Sequence, residues 1–173
     1  MHRRALILGA LAWAGAAAAQ QPVQSPVLTI DSQQLFLRSA FGQRVTADLE
    51  ASSAALAQEN QRIAAELEAE ERALTDQRPT LPAEDFRVLA DAYDARVQEV
   101  RREQIAKSDA LDARLKEEEQ AFFAAIAPIL EALMREANAA VVLERDRVFV
   151  SARAIDITDV AIARIDAAVG DGQ

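Results

Sequence analysis

The residues best able to do chemistry in this chain are its carboxylate runs. Glu66, Glu68, Glu70 and Glu71 form one, and Glu117, Glu118 and Glu119 form another. Such groups can act as general acid–base pairs or as oxygen ligands for a hard cation. Either use requires a buried, convergent pocket that tunes one carboxyl against its neighbours. Nothing around these runs suggests one, and they read as solvated helix faces. The chain has one His and no Cys, so the usual nucleophile–base pairs and zinc ligand sets have little to draw on. No Gly-rich phosphate loop is present. We therefore expect no catalytic, cofactor-binding or metal-binding residue and no cofactor, and the chain does not read as an enzyme.

The N-terminus argues for export. His2, Arg3 and Arg4 precede an apolar run from Ala5 to Gly15, and Ala16 to Ala19 supply small residues for a peptidase. Residues 1–19 are thus expected to be a signal peptide cleaved near Ala19. The segment is short for a bilayer span of ~20 residues, and a lipoprotein anchor would need a cysteine, so no stable membrane anchor is expected. The leader takes with it two arginines, the single His and the single Trp. That leaves 17 of the 19 Lys+Arg against all 28 Asp+Glu, a net charge of −11. So acidic a surface argues against nucleic acid as a partner, because that affinity comes from neutralising phosphates. The remaining ~150 residues, 20–173, suit a single domain.

The elements that would carry any surviving function are mostly helices. Gln20 to Pro26 reads as a flexible leader. Val27-Leu28-Thr29-Ile30-Asp31 is a β-type run, and Asp31 or Ser32 can cap a helix over Gln33 to Ala40. Gly42 is expected to break that helix. From Gln43 to Gln77 there is neither Pro nor Gly, and Ala, Leu, Glu and Arg dominate. Val45, Leu49, Leu56, Ile63, Leu67 and Leu74 make one narrow apolar stripe, interrupted by Ser53 and Asn60. A stripe that narrow seats one partner helix and no globular core. Two prolines, Pro79 and Pro82, then force a turn whose tip includes Arg78 and Leu81. A second helix starts at Pro82, with Glu84 and Asp85 near its positive end, and runs to about Asn138. Its stripe begins Phe86, Leu89, Tyr93, Val97. So short a connection makes the two helices antiparallel neighbours. At 1.5 Å per residue they are on the order of 50 and 80 Å long. Pro128 should kink the second one, and Phe122 and Phe123 should pack at the base.

Beyond Asn138 the period changes. Ala140 to Leu143 and Val148 to Ser151 are β-type runs, and Glu144 to Arg147 between them fits a hairpin loop. A short helix follows over about Thr158 to Val169, capped by Asp156 or Thr158 and stopped by Gly170. The fold class is therefore α+β, mainly α. A coiled-coil hairpin arm (43–138, tip near 77–82) stands on a small β base (27–42 and 139–170). Three short strands are marginal alone and expose two hydrogen-bonding edges. Joining sheets from several copies would close those edges, so a homo-oligomer is expected. Val27, Leu28, Ile30, Val141, Val142, Leu143, Val148 and Val150 are its candidate contact residues.

This order of elements resembles the OmpH/Skp family of periplasmic chaperones over nearly the whole mature chain. The opening strand, Phe36 and Gly42 carry part of the match. The most specific part is Ala140-Val141-Val142-Leu143, the turn, Val148-Phe149-Val150, and Asp156-Ile157-Thr158 opening the last helix. The resemblance implies a homotrimer whose β base closes into a barrel body, with three arms around a central cavity. It implies an ATP-independent holdase of the periplasm that keeps unfolded outer-membrane β-barrel proteins in that cavity. The arms depart from the basic character of familiar members. Residues 43–81 carry four basic and eight acidic side chains, and residues 82–137 carry eight and thirteen. No basic cluster exists onto which a lipopolysaccharide site could be carried. The hairpin alone would equally suit a spacer or adaptor of an envelope complex that binds no client.

Overall fold

A computed structural model describes residues 25–172. The expected signal peptide and its cleavage point lie outside that range. The chain forms strand β1 (Val27–Ile30), helix α1 (Ser32–Arg38), helix α2 (Ala40–Gln77), helix α3 (Ala83–Glu136), strand β2 (Val141–Glu144) and helix α4 (Thr158–Ala168). Two single 3-10 turns, Arg145–Arg147 and Arg153–Ile155, lie between β2 and α4. The protein is thus mainly helical with a small two-stranded sheet.

The start of the chain is fixed by side-chain caps. Asp31 accepts a hydrogen bond from the Gln34 N–H at 2.9 Å and so begins α1. The break between α1 and α2 falls at Ser39, three residues before the glycine expected to cause it. Ser39 Oγ donates to the Phe36 carbonyl and accepts from the Gly42 N–H, ending one helix and capping the next. Asp166 of α4 accepts from the Ala40 N–H at 2.8 Å and adds a second cap at the same corner. Gly42 lies inside the first turn of α2, and its role is close approach. A Cβ there would stand 1.7 Å from the Phe36 carbonyl oxygen.

The arm is the antiparallel pair α2 and α3, of 38 and 54 residues. Its tip is closed by Gln77, whose carbonyl accepts from the Thr80 and Leu81 N–H groups. The Arg78 guanidinium lies 5.7 Å from the centre of the Phe86 ring. α3 continues through Pro128 to Glu136. It ends on Asn138, which takes the left-handed conformation (φ 51°) of a helix C-terminus.

The base departs from the sequence expectation in its topology. β2 does not fold back on Val148–Ser151 as a hairpin. It lies parallel to β1, pairing Val27 with Val141 through Ile30 with Glu144. The expected third strand is no strand here. The reason is polar and reaches across the chain. Glu144 accepts from the Ser32 N–H at 2.8 Å, which ends β2 beside β1. Arg145 then reaches Asp31 at 2.6 Å and Asp156 at 3.1 Å, and residues 145–147 coil into a 3-10 turn that sends the chain away from β2. The other edge of β1 is occupied by a bridge from Thr29 to Asp156, with the Ile157 N–H donating to the Thr29 carbonyl at 3.0 Å.

The hydrophobic core sits in the base. Leu28 and Ile30 of β1, Leu35 and Phe36 of α1, Phe41 and Val45 of α2, Phe122, Ile126 and Leu133 of α3, and Ile162 and Ile165 of α4 are all buried. Phe122 is the hub, with its ring 5.3 Å from Phe36, 5.4 Å from Phe41 and 5.3 Å from Phe123. Phe123, expected at the base with Phe122, packs its ring on Phe122 but stays 41% exposed at the edge of the core.

Candidate functional site

Two kinds of surface could carry function: the rim of the base and the flanks of the arm. The eight residues picked from sequence as contacts between copies divide by environment. Leu28 and Ile30 are buried in the protomer's own core, and Val142 packs against it. Val27 and Val148 are half-buried, whereas Val141, Leu143 and Val150 are exposed. Val141 and Leu143 lie on the outer face of β2, whose burial alternates along the strand, and Val150 lies in the turn region beyond it. Among the described residues no strand pairs with the far edge of β2. Next to that edge in sequence lies Phe149, the most exposed large apolar residue among the described residues. It escaped selection although it sits in the Val-Phe-Val run. A strand would turn Phe149 away from Val148 and Val150, but the chain bends here and Phe149 and Val150 are exposed together.

A polar node organises this rim. Asp31, Glu144, Arg145, Asp156 and Thr158 come from three stretches of the chain. Thr158 Oγ1 accepts from the Asp31 N–H at 3.0 Å and donates to Asp156 at 2.6 Å, while Asp156 also accepts from the Thr158 N–H at 2.9 Å. Burial raises the Asp156 carboxyl, but hydrogen bonds from Thr158 and Arg145 outweigh it and hold that carboxyl below the ordinary aspartate value. The cap expected of Asp156 or Thr158 is not formed as such: the N-cap position is Ile157, Asp156 takes only the first N–H of α4, and the Thr158 hydroxyl bonds Asp31 and Asp156 instead.

At the root of the arm an apolar groove of about 480 Å³ opens between α1, α2 and α3. Phe36, Leu37, Leu49, Leu115 and Phe123 form its floor and walls, and Glu50 and Glu119 lie on its rim. Leu37 and Phe123 are exposed there. This groove combines aromatic walls, an open mouth and charged edges. Sequence reading missed it because its walls come from three separated segments.

Along the arm the seam follows α2 positions 45, 49, 52, 56, 59, 63, 67, 70 and 74, spaced by threes and fours. The polar interruptions are therefore Ser52, Glu59 and Glu70, one residue before the Ser53 and Asn60 read from sequence in two cases. On α3, Ala90 and not Leu89 faces the seam. Between Val100 and Leu111 the seam of α3 has no apolar residue. Gln104 lies there with both amide atoms shut off from solvent, beside the Glu59 carboxylate that its amide helps to keep ionised. Beside it the Lys107 ammonium reaches Glu59 at 2.6 Å, and that contact holds the Glu59 carboxyl below its ordinary value. Clefts of about 240 and 420 Å³ flank this waist near Leu56 and Leu111.

The carboxylate runs are spread over ion pairs. Glu66 meets Arg62, Glu68 meets Arg72, Glu70 meets Arg96 and Glu118 meets Arg44. The tip residues Arg78, Pro79 and Pro82 are exposed and Leu81 is half-buried. No helix among the described residues is long and apolar enough to cross a membrane.

Comparison with known proteins follows the same geometry. The family described as outer membrane protein (OmpH-like) matches residues 26–165. A crystal structure of an OmpH-like protein from Caulobacter crescentus CB15, a candidate outer-membrane chaperone, superposes with a TM-score of 0.77 at 21% identity. The match covers 87% of this chain and 89% of that one. No curated protein matches the sequence.

Proposed function

This chain belongs to the OmpH-like family, and from that premise we propose that it is an ATP-independent holdase of the periplasm, assembled as a homotrimer. Three copies close their base sheets into one barrel body, and their arms enclose a cavity for unfolded outer-membrane β-barrel proteins. Val27, Val141, Leu143, Val148 and Val150 meet the neighbouring copies, while Leu28 and Ile30 hold β1 in place from inside. The tip around Arg78, Pro79, Leu81 and Pro82 forms the mouth of the cavity. Residues 1–19 direct export and are removed.

The observation that carries this reading is the unclosed base. A two-stranded sheet with an open edge and exposed Val141, Leu143, Phe149 and Val150 is a poor end state for a soluble monomer. Pairing with other copies removes both the edge and the apolar surface. The arms then project from a fixed body. Their exposed Val88, Leu89 and Ile105 offer shallow apolar footholds between charges. Many weak contacts inside one enclosure suffice to retain an unfolded chain, because later contacts are effectively intramolecular. No nucleotide enters this scheme. The client leaves when it folds into the membrane and its apolar segments are no longer available.

The test is dilution of a denatured outer-membrane β-barrel protein with and without the mature chain, followed by light scattering. Suppression of aggregation at equimolar trimer without nucleotide is the expected result. Undiminished aggregation would remove the holdase reading and leave an adaptor role in its place.

A further inference from the structure

The rim of the base and the groove at the arm root are complementary in shape and charge. Phe149 stands fully in water within Val148-Phe149-Val150. The chain bends at Phe149 and Val150, and both side chains are exposed beside the half-buried Val148. Arg147 and Arg153 flank the segment. Arg147 pairs with its exposed neighbour Asp146 at 3.3 Å, and no ion pair of Arg153 is present among the described residues. The groove offers the counterpart: aromatic and aliphatic walls from Phe36, Leu37 and Phe123, and acids Glu50 and Glu119 at its mouth. Its volume of about 480 Å³ is ample for one phenyl ring and an adjoining valine.

We propose that Phe149 of one copy is the anchor that fills the Phe36–Leu37–Phe123 groove of the next, with Arg147 and Arg153 facing Glu50 and Glu119. The occupant is a second copy because its knob carries the charges that the groove's rim lacks. A knob and a groove at different places on one chain give a head-to-tail contact, which must close into a ring or run on as a filament. This inference rests on the proposed homotrimer and names its specific contact: the barrel edge sets the copy number, and Phe149 locks each copy to its neighbour's arm root. The angle of each arm is thereby tied to assembly, because the groove is made of α1 together with the first turns of α2 and the last third of α3.

The chain has no cysteine, so paired cysteines report without background. Mature Phe149→Cys and mature Phe123→Cys are prepared separately, mixed, allowed to exchange subunits and oxidised mildly. A disulfide-linked heterodimer is expected, at a yield well above that of a Phe149→Cys and Val88→Cys mixture. Independently, Glu119→Arg or Arg147→Glu should each weaken assembly, and the double variant should restore it. Phe149→Ala should raise the midpoint concentration for assembly about ten-fold or more, from the apolar area left in water. If the protein is a trimer but the cysteines do not link and the charge swap has no effect, the groove contact is wrong and the trimer reading stands. If Phe123 and Leu37 variants lose client binding with assembly unchanged, the groove belongs to the client and the proposal is overturned. A folded wild-type monomer at micromolar concentration would overturn the trimer reading itself.

Discussion

In the base, three phenylalanine rings meet within 6.5 Å of one another and eleven further apolar residues close around them. In the arm, no residue between Leu49 and Leu115 is fully buried, and the two helices are tied by a half-buried seam and by ion pairs at its edges. The same alanine- and glutamate-rich helices serve both regions. What separates them is how many elements converge. Four helices and the sheet meet in the base, so each apolar side chain is enclosed on several sides. In the arm each helix has one partner, and the outer side of every seam residue stays near water. Exposed ion pairs of the kind that line the arm contribute only about 0–1 kcal/mol each. The arm therefore depends on the base to hold its two ends together, and its own surface is left free for contacts that form and release.

Substitutions should separate the two regions. Phe122→Ala empties the hub of the base and is expected to cost about 3–5 kcal/mol. A thermal melt should show the whole protomer destabilised, and loss confined to the arm would contradict the division. Gly42→Ala comes next, at about 1–3 kcal/mol, because the added methyl meets a backbone carbonyl that cannot rotate away. Its signature should be disruption of the α1–α2 corner, read by faster amide exchange at residues 39–45.

Acid should loosen the base through Asp156. The folded state holds that carboxyl below its ordinary value of 3.8. Its contribution to stability is therefore complete above about pH 4 and is lost as pH falls through the lower folded value. Denaturant midpoints should fall in that window, and Asp156→Asn should flatten the dependence while lowering stability at neutral pH. The smallest effect belongs to the arm. Gln104→Leu replaces an amide shut off from solvent beside the Glu59 carboxylate by a side chain that suits the seam, and should stabilise by at most roughly 1 kcal/mol. Exchange should slow near residues 56–63 and 100–111, with the base unchanged.

The elements that rest on local rules were legible in the sequence. The proline-bounded turn at 77–82, the two long helices, the Asp31 cap and the Gly170 stop all depend on neighbours a few residues away. The departures involve distance or competition. Gly42 looks like a helix breaker, but Ser39 supplies the cap that ends α1, and Gly42 serves instead to let two backbones touch. A four-residue gap between two β-type runs looks like a hairpin, but Arg145 finds Asp31 more than a hundred residues away and turns the chain aside. Leu89 and Ala90 both satisfy helical spacing from Phe86. The seam takes alanine, so the more apolar residue faces outward. The groove was invisible for the same reason, since Leu37, Leu49 and Phe123 meet only after the arm has doubled back.

The proposed division between an assembling base and a retaining arm is tested most directly by hydrogen exchange on the mature protein, alone and loaded with an unfolded outer-membrane β-barrel protein. Loading should slow exchange along the arm, in α2 and α3 around Val88, Leu89 and Ile105, and leave β1, β2 and α4 as they were. Unchanged arm amides with protection appearing only at the base would contradict it.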